Sequence, residues 1–190
     1  ALATGPIADT LEAHVAALRA ALRVADLVCT TGGTMHGPVD HLHPALAELG
    51  AAYVVNTVRV RPGFPMLLAR GEVDGRTKFV AGLPGNPQSA VVALFSLVAP
   101  LLAGLTGRAL QALPTVALGA PVKGRGQDTH LALVRLGADG LAYPLAHAGS
   151  AMLRGVANAD GFAVIRPGAA SDASDAVALV PLPLFEGERP

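Results

Sequence analysis

The chain has 190 residues, with 14 lysines and arginines balanced by 14 aspartates and glutamates, so its formal net charge is zero. That balance, with no basic run, argues against a footprint along a nucleic-acid backbone, and 4% aromatics without tryptophan argue against a base-stacking platform. The length holds one large domain or two small ones, and a compact anionic small molecule stays within reach as a ligand.

The single Cys29 excludes an internal disulfide and fits a reducing, cytoplasmic setting. Within the apolar run from Ala25 it reads as a buried thiol, not a nucleophile. The N-terminus has neither a basic flank nor a sustained apolar core, so no secretory signal is expected. The run from Ala90 to Leu105, interrupted by Ser96 and Pro100, falls short of the roughly 20 residues of a membrane span. A buried helix and no membrane partner are expected.

In chain order, Asp9 or Thr10 can cap a helix whose apolar positions Leu11, Val15, Leu18 and Leu22 recur at helical spacing. Glu12 near its start and Arg19 and Arg23 near its end suit the helix dipole. Leu27 to Thr30 reads as a strand buried on both faces, as in parallel sheets covered by helices. The loop Thr30-Thr31-Gly32-Gly33-Thr34-Met35-His36-Gly37-Pro38-Val39-Asp40 follows. A second helical pattern (Leu42, Ala45, Leu46, Leu49) ends at Gly50. Tyr53 to Val60 alternates like a strand, Arg61-Pro62-Gly63-Phe64-Pro65 is a stiff turn, and Met66 to Ala69 is extended. Asp74-Gly75 signals a hairpin leading into Lys78 to Ala81.

Next comes the turn Gly82-Leu83-Pro84-Gly85-Asn86-Pro87. Glycines 82 and 85 permit dihedrals closed to other residues, and prolines 84 and 87 stiffen the path. Pro87 places the helix start at about Gln88 or Ser89, and Pro100 should kink or split that helix. From Leu113 onward, short extended runs separated by Gly, Pro and Asp turns prevail, and only Ser150 to Ala157 looks helical. A boundary between Arg108 and Leu113 is expected. It gives a partial α/β layer domain over 1–110 and a small β-rich domain over 111–190.

Loops leaving the carboxyl ends of adjacent strands share a crevice in an open α/β sheet. The Thr31-Gly32-Gly33 loop and the Gly82–Pro87 turn both leave strands and open helices, so they can form two walls of one anion pocket. Asp40 has two readings, a carboxylate for Mg²⁺ beside bound phosphates or an N-cap for the helix through Leu42. Arg61 can bind an oxyanion by charge-assisted hydrogen bonds, although Arg59 and Arg61 could equally be plain strand-end arginines. His36, His41 and His43 suggest zinc, but 41 and 43 do not share a helix face and no cysteine or glutamate completes a set.

Together these motifs resemble the C-terminal half of the molybdopterin molybdotransferase family. The resemblance rests on Thr31-Gly32-Gly33 with Gly37 and Asp40, and Arg61-Pro62-Gly63 with Pro65. It continues in Gly82-Leu83-Pro84-Gly85-Asn86-Pro87 with Ser89, and Gly149-Ser150 with Met152-Leu153. It implies a molybdopterin-binding α/β domain followed by a β-barrel-like domain. The implied reaction is Mg²⁺-dependent insertion of molybdate into adenylylated molybdopterin with release of AMP. It makes Asp40 the metal- or molybdate-associated aspartate and Arg61 the first of two turn cations. The Gly82–Pro87 loop lines the molybdopterin site, and Arg135 and Ser150 are weaker matches. A homodimer and an adenylyltransferase partner are implied too.

Three departures accompany the resemblance. Met35 stands where the family has Ser, and Phe64 where it has a second lysine. The N-terminal part of the α/β domain is absent, so the 190 residues alone are expected to be inactive in catalysis. Two rivals remain. One is a non-catalytic molybdopterin-binding or scaffold module. The other is a molybdopterin adenylyltransferase, which shares a Thr-Thr-Gly-Gly-Thr loop but lacks the β-rich tail.

Overall fold

The computed structural model describes residues 2–35, 37, 40–145, 153–168 and 170–182. The chain is α/β, with an α/β layer followed by a β-rich part. By packing it divides into two units, Ala1–Val58 with Pro65–Gly85, and Arg59–Phe64 with Asn86–Pro190.

The first unit opens with helix α1, Leu11–Val24. Of the two candidate caps it is Thr10 that acts, its hydroxyl accepting the Ala13 N–H at 3.2 Å. Val15, Leu18 and Leu22 form the buried stripe of α1 and meet Leu42, Ala45 and Leu46 of helix α2, Leu42–Glu48. Both helices pack over Leu67, Ala69 and Val80 of a four-stranded sheet. Its strands are β1 (Leu27–Thr31), β2 (Ala52–Asn56), β4 (Leu67–Val73) and β5 (Arg76–Leu83), in the order β1-β5-β4-β2. Strands β1 and β5 are parallel, and the other pairings are antiparallel. Asp74 (φ 51°) and Gly75 (φ 71°) turn the β4–β5 hairpin in the left-handed conformations that a two-residue turn needs.

Several expectations change here. Strand β1 is not buried on both faces, and among the described residues only β5 pairs with it, at the sheet edge. Val28 faces the helices, so the alternating Cys29 points the other way and is exposed rather than buried. Partial desolvation still pushes the Cys29 thiol pKa up, away from a reactive thiolate. The strand expected over Tyr53–Val60 breaks at Thr57, whose φ of 65° is incompatible with extended backbone. Lys78, buried in β5, donates to Asp26 Oδ1 at 2.7 Å, and that bond holds the Asp26 carboxyl below its usual range.

The second unit carries strands β3 (Val60–Arg61), β6 (Thr115–Ala117), β7 (Thr129–Leu136), β8 (Ala142–Pro144), β9 (Gly161–Ile165) and β10 (Ala176–Pro181). They make one six-stranded sheet, β3-β7-β9-β10-β6, with β8 also on β7. Its core gathers Leu118, Val122, Ala132, Val134, Ala163, Ile165 and Val177. A short helix α5, Leu153–Ala157, covers the described part of the predicted Ser150–Ala157 helix.

The same unit holds the long apolar helix. Helix α3, Pro87–Ala93, starts one residue earlier than expected, because Pro87 occupies the first turn, where its missing N–H costs nothing. A π-helical segment, Leu94–Val98, then passes into α4, Ala99–Leu105. Pro100 thus splits the regular helix as expected, since it cannot donate to the carbonyl four residues back. The expectation of a buried helix holds only at the start. Gln88, Ser89, Val92, Ala93 and Val98 are buried, whereas α4 has no buried residue. At 19 residues, Pro87–Leu105 is long and apolar enough to cross a membrane by length and composition.

Candidate functional site

The first unit brings two of the motifs together. Parallel pairing sets Thr30 beside Gly82 and Thr31 beside Leu83, so both strands end at the same level. Beyond that end the Gly32 N–H donates to the Leu83 carbonyl at 2.9 Å, tying the Thr31-Gly32-Gly33 loop to the Gly82-Leu83-Pro84-Gly85 turn. Gly32 (φ 83°) and Gly33 (φ 65°) are both left-handed, a conformation that favours glycine.

Glycines 82 and 85 are needed for other reasons than the one inferred from sequence, since neither has a positive φ. A Cβ on Gly82 would lie 2.8 Å from Leu42 Cδ2 and Leu67 Cγ, so packing excludes it. A Cβ on Gly85 would meet only Gly32 Cα, at 3.7 Å. Space exists there, and a side chain would fill it.

Of its two expected roles, Asp40 does not take the capping one, since the N-cap of α2 is His41 with no side-chain bond. Instead its Oδ2 accepts the Gly37 N–H at 2.8 Å while its own N–H donates to the Gly37 carbonyl at 3.0 Å. The carboxylate therefore closes its own loop and keeps acceptor capacity on its other oxygen. Mg²⁺ is commonly held by one or two carboxylates plus substrate phosphates, so this single carboxylate fits such a metal. Among the described residues no group of three or more His, Cys, Asp or Glu could hold a metal ion. His41 lies 3.9 Å from Asp9, whereas His43 approaches the Tyr53 hydroxyl (2.6 Å) and the Thr34 carbonyl (3.2 Å). Met35 is exposed.

In the second unit Asn86 is the N-cap of α3, in extended conformation and with no side-chain bond to the helix. Pro87 has no N–H and Ala90 N–H is taken by the Asn86 carbonyl, so Gln88 and Ser89 carry the amides of this terminus that have no partner among the described residues. Both side chains are buried, and Gln88 Oε1 has no hydrogen-bond partner among the described residues. Sequence reading passed over Gln88 because nothing in a helix-start Gln predicts burial.

The Arg61-Pro62-Gly63 turn lies in the same unit and contains a cis bond between Arg61 and Pro62. The pairing of β3 with β7 sets Arg61 beside His130. Arg61 Nε donates to Asp128 Oδ2 at 2.9 Å, and Arg59 Nε lies 3.6 Å from Asp128 Oδ1. The Arg61 guanidinium stands 5.0 Å above the Phe64 ring, within cation–π range. The Arg61 bond, helped by the charge of both arginines, holds the Asp128 carboxyl below its usual range. Asp128 was missed by sequence reading, because it follows Arg61 by 67 positions and no local pattern links them. Arg135 pairs with Tyr143 in the β7–β8 register. Ser150, with Gly149 and Met152, lies outside the described residues, as does His36.

Comparison with known proteins places these features. Residues 2–104 match the family described as Probable molybdopterin binding domain, and residues 115–182 match the MoeA C-terminal region (domain IV). A molybdopterin molybdenumtransferase of a Nostoc strain is 32% identical over 105 residues, which is 55% of this chain and 24% of the relative. The Haemophilus influenzae molybdopterin molybdenumtransferase is 35% identical over 104 residues, again 55% and 24%. The aligned stretch thus spans about a quarter of each curated relative. Among solved structures, the molybdopterin biosynthesis moea protein of Pyrococcus horikosii superposes with TM-score 0.71 at 28% identity, over 90% of this chain and 41% of that one. A molybdenum cofactor biosynthesis protein from Pyrococcus furiosus shares the fold at TM-score 0.67 and 19% identity.

Proposed function

The chain belongs to the MoeA family of molybdenum cofactor biosynthesis proteins, with a molybdopterin-binding domain followed by a MoeA C-terminal region, and from that premise we propose that it serves the insertion of molybdate into molybdopterin. The observation that carries this reading is the tie between Gly32 and Leu83, which gathers two glycine loops at one end of parallel strands. Backbone approaching a ligand there is suited to a phosphate-bearing pterin.

In this reading Thr31, Gly32, Gly33, Gly82, Leu83, Pro84 and Gly85 bind the pterin in the first unit. Asn86, Pro87 and Ser89, at the start of α3 in the second unit, belong to the set by their match to the family's motif. Arg61, on the Pro62-Gly63 turn, binds molybdate as an oxyanion by charge-assisted bonds. Ser150 belongs to the same set by its match to the family's motif alone. Asp40 would hold Mg²⁺ together with the substrate's phosphate oxygens, and the metal would offset the charge of an adenylyl phosphate. Catalysis then rests on positioning and fixed electrostatics, with no covalent nucleophile. The residue division is 1–110 for pterin binding and 111–190 for the β-rich domain. The active form is a cytoplasmic homodimer that receives adenylylated molybdopterin from an adenylyltransferase.

The test supplies adenylylated molybdopterin, molybdate and Mg²⁺ to the chain and follows AMP release and molybdenum transfer. The same assay is run on a longer form carrying the family's preceding domains. Transfer by the longer form that is lost on Asp40→Asn supports the proposal. Saturable pterin binding with no transfer by either form would favour the binding-module reading, to which Phe64 in place of a second cation lends support.

A further inference from the structure

The two arginines of the β3 turn share one carboxylate. Arg59 and Arg61 flank Val60, and both side chains reach the same carboxylate. Each turns its Nε edge to Asp128, Arg61 to Oδ2 at 2.9 Å and Arg59 to Oδ1 at 3.6 Å. Asp128 is held in place by the chain around it. Its N–H donates to the Arg125 carbonyl, and the next residue, Thr129, donates to the Arg59 carbonyl at 3.0 Å. The Asp128 side chain is only 20% exposed, whereas those of Arg59 and Arg61 are 66% and 52% exposed.

This arrangement leaves a surplus. Two guanidinium charges meet one carboxylate, and among the described residues no second carboxylate lies within ion-pair distance of either arginine. A guanidinium has five donors in a rigid fork, and the Nε edge uses at most two of them. At least three donors on each guanidinium therefore have no carboxylate partner among the described residues. Phe64 lies under the Arg61 guanidinium and limits its swing. Exposed Lys123 and Arg125 precede Asp128 in the same loop and add like charge. An exposed ion pair contributes little to stability, so fold stability alone gives a weak reason for the grouping.

We propose that Arg59 joins Arg61 in a two-guanidinium clamp for a tetrahedral oxyanion of the molybdate class, with Asp128 as the positioning residue that sets the clamp's geometry. The inference rests on the reading of Arg61 as an oxyanion ligand and adds to it a second binding residue and a positioning group. Asp128 itself does not touch the anion. It holds two like-charged forks side by side, which they would otherwise resist, and it offsets only part of their charge.

The experiment titrates the chain with molybdate by calorimetry, alongside Arg61→Ala, Arg59→Ala, Asp128→Ala and Asp128→Glu. Unfolding midpoints of all forms are measured in parallel. Expected are losses of about tenfold or more in affinity for Arg59→Ala and for Asp128→Ala at near-native midpoints, with partial recovery in Asp128→Glu. A merely structural Asp128 would move the midpoint and leave affinity per folded molecule alone. If Arg61→Ala loses binding while Arg59→Ala and Asp128→Ala bind as the parent does, the clamp is wrong and the Arg61 reading stands. Tighter binding by Asp128→Ala would make Asp128 a competitor for the arginines and overturn the proposal. Equal binding by all forms would remove Arg61 from the site and the clamp with it.

Discussion

The two units present candidate sites of two different kinds. In the first, the loops after β1 and β5 present backbone, with left-handed Gly32 and Gly33 and an open Gly85. In the second, β3 and its flanks present side chains, with Arg59 and Arg61 braced on Asp128 and Arg61 stacked on Phe64. Backbone surfaces are shaped by what is left out, so a methyl group in the wrong place should damage them. Side-chain surfaces depend on charge and on what holds it still. Each therefore fails under a different substitution.

The largest effect is expected where the first surface is built. Gly82→Ala puts a Cβ 2.8 Å from Leu42 Cδ2 and Leu67 Cγ, and should cost about 1–3 kcal/mol in denaturant unfolding. Gly85→Ala, with only Gly32 Cα at 3.7 Å, should change stability by less than about 0.5 kcal/mol. If the two cost the same, close packing is not what separates them.

The next effect is on binding rather than folding. Gly85→Val should weaken molybdopterin binding more than Phe64→Ala does, because a branched side chain fills the space over Gly32. Phe64 only steadies a cation. Titration of both variants decides it, and undiminished binding by Gly85→Val would remove that loop from the site.

Asp40→Asn should abolish Mg²⁺-dependent transfer in the longer form with an unchanged unfolding midpoint. The amide oxygen can still accept the Gly37 N–H, but it holds a divalent cation poorly. A lowered midpoint with activity preserved per folded molecule would make Asp40 a loop staple alone.

The smallest effect concerns His130, in the β7 strand beside Arg61. Burial lowers its pKa most, Arg125 lowers it further, and the bond to the Lys123 carbonyl opposes both. The folded chain thus binds a proton less readily than the unfolded one, whose histidine titrates near about 6.5. The His130 contribution is complete above that value and is lost as pH falls toward the lower folded value. His130→Gln should flatten this slope in pH-dependent unfolding. An unchanged slope would assign it to another group.

Sequence located the first surface better than it explained it. Gly/Pro spacing and strand–turn–helix order placed both loops, but Gly82 was credited with unusual dihedrals when three-dimensional packing is what demands it. The edge position of β1, and with it the exposure of Cys29, depends on which strands pair, and an apolar run does not carry that information. The second surface was half legible. Arg61 stood out beside Pro62-Gly63, whereas Asp128 lies in a turn far along the chain and reaches Arg59 and Arg61 only through the parallel pairing of β3 with β7. Phe64 read as a lost cation, and folding places it under the cation that remains.

The central claim is that a molybdopterin phosphate is held by backbone at the loops of the first unit. Amide-resolved NMR of the chain during titration with molybdopterin tests it most directly. Saturable shifts of the Gly32, Gly33 and Gly85 amides, lost together in Gly85→Val, are the result this account predicts. Saturable binding that leaves those three amides unmoved would contradict it.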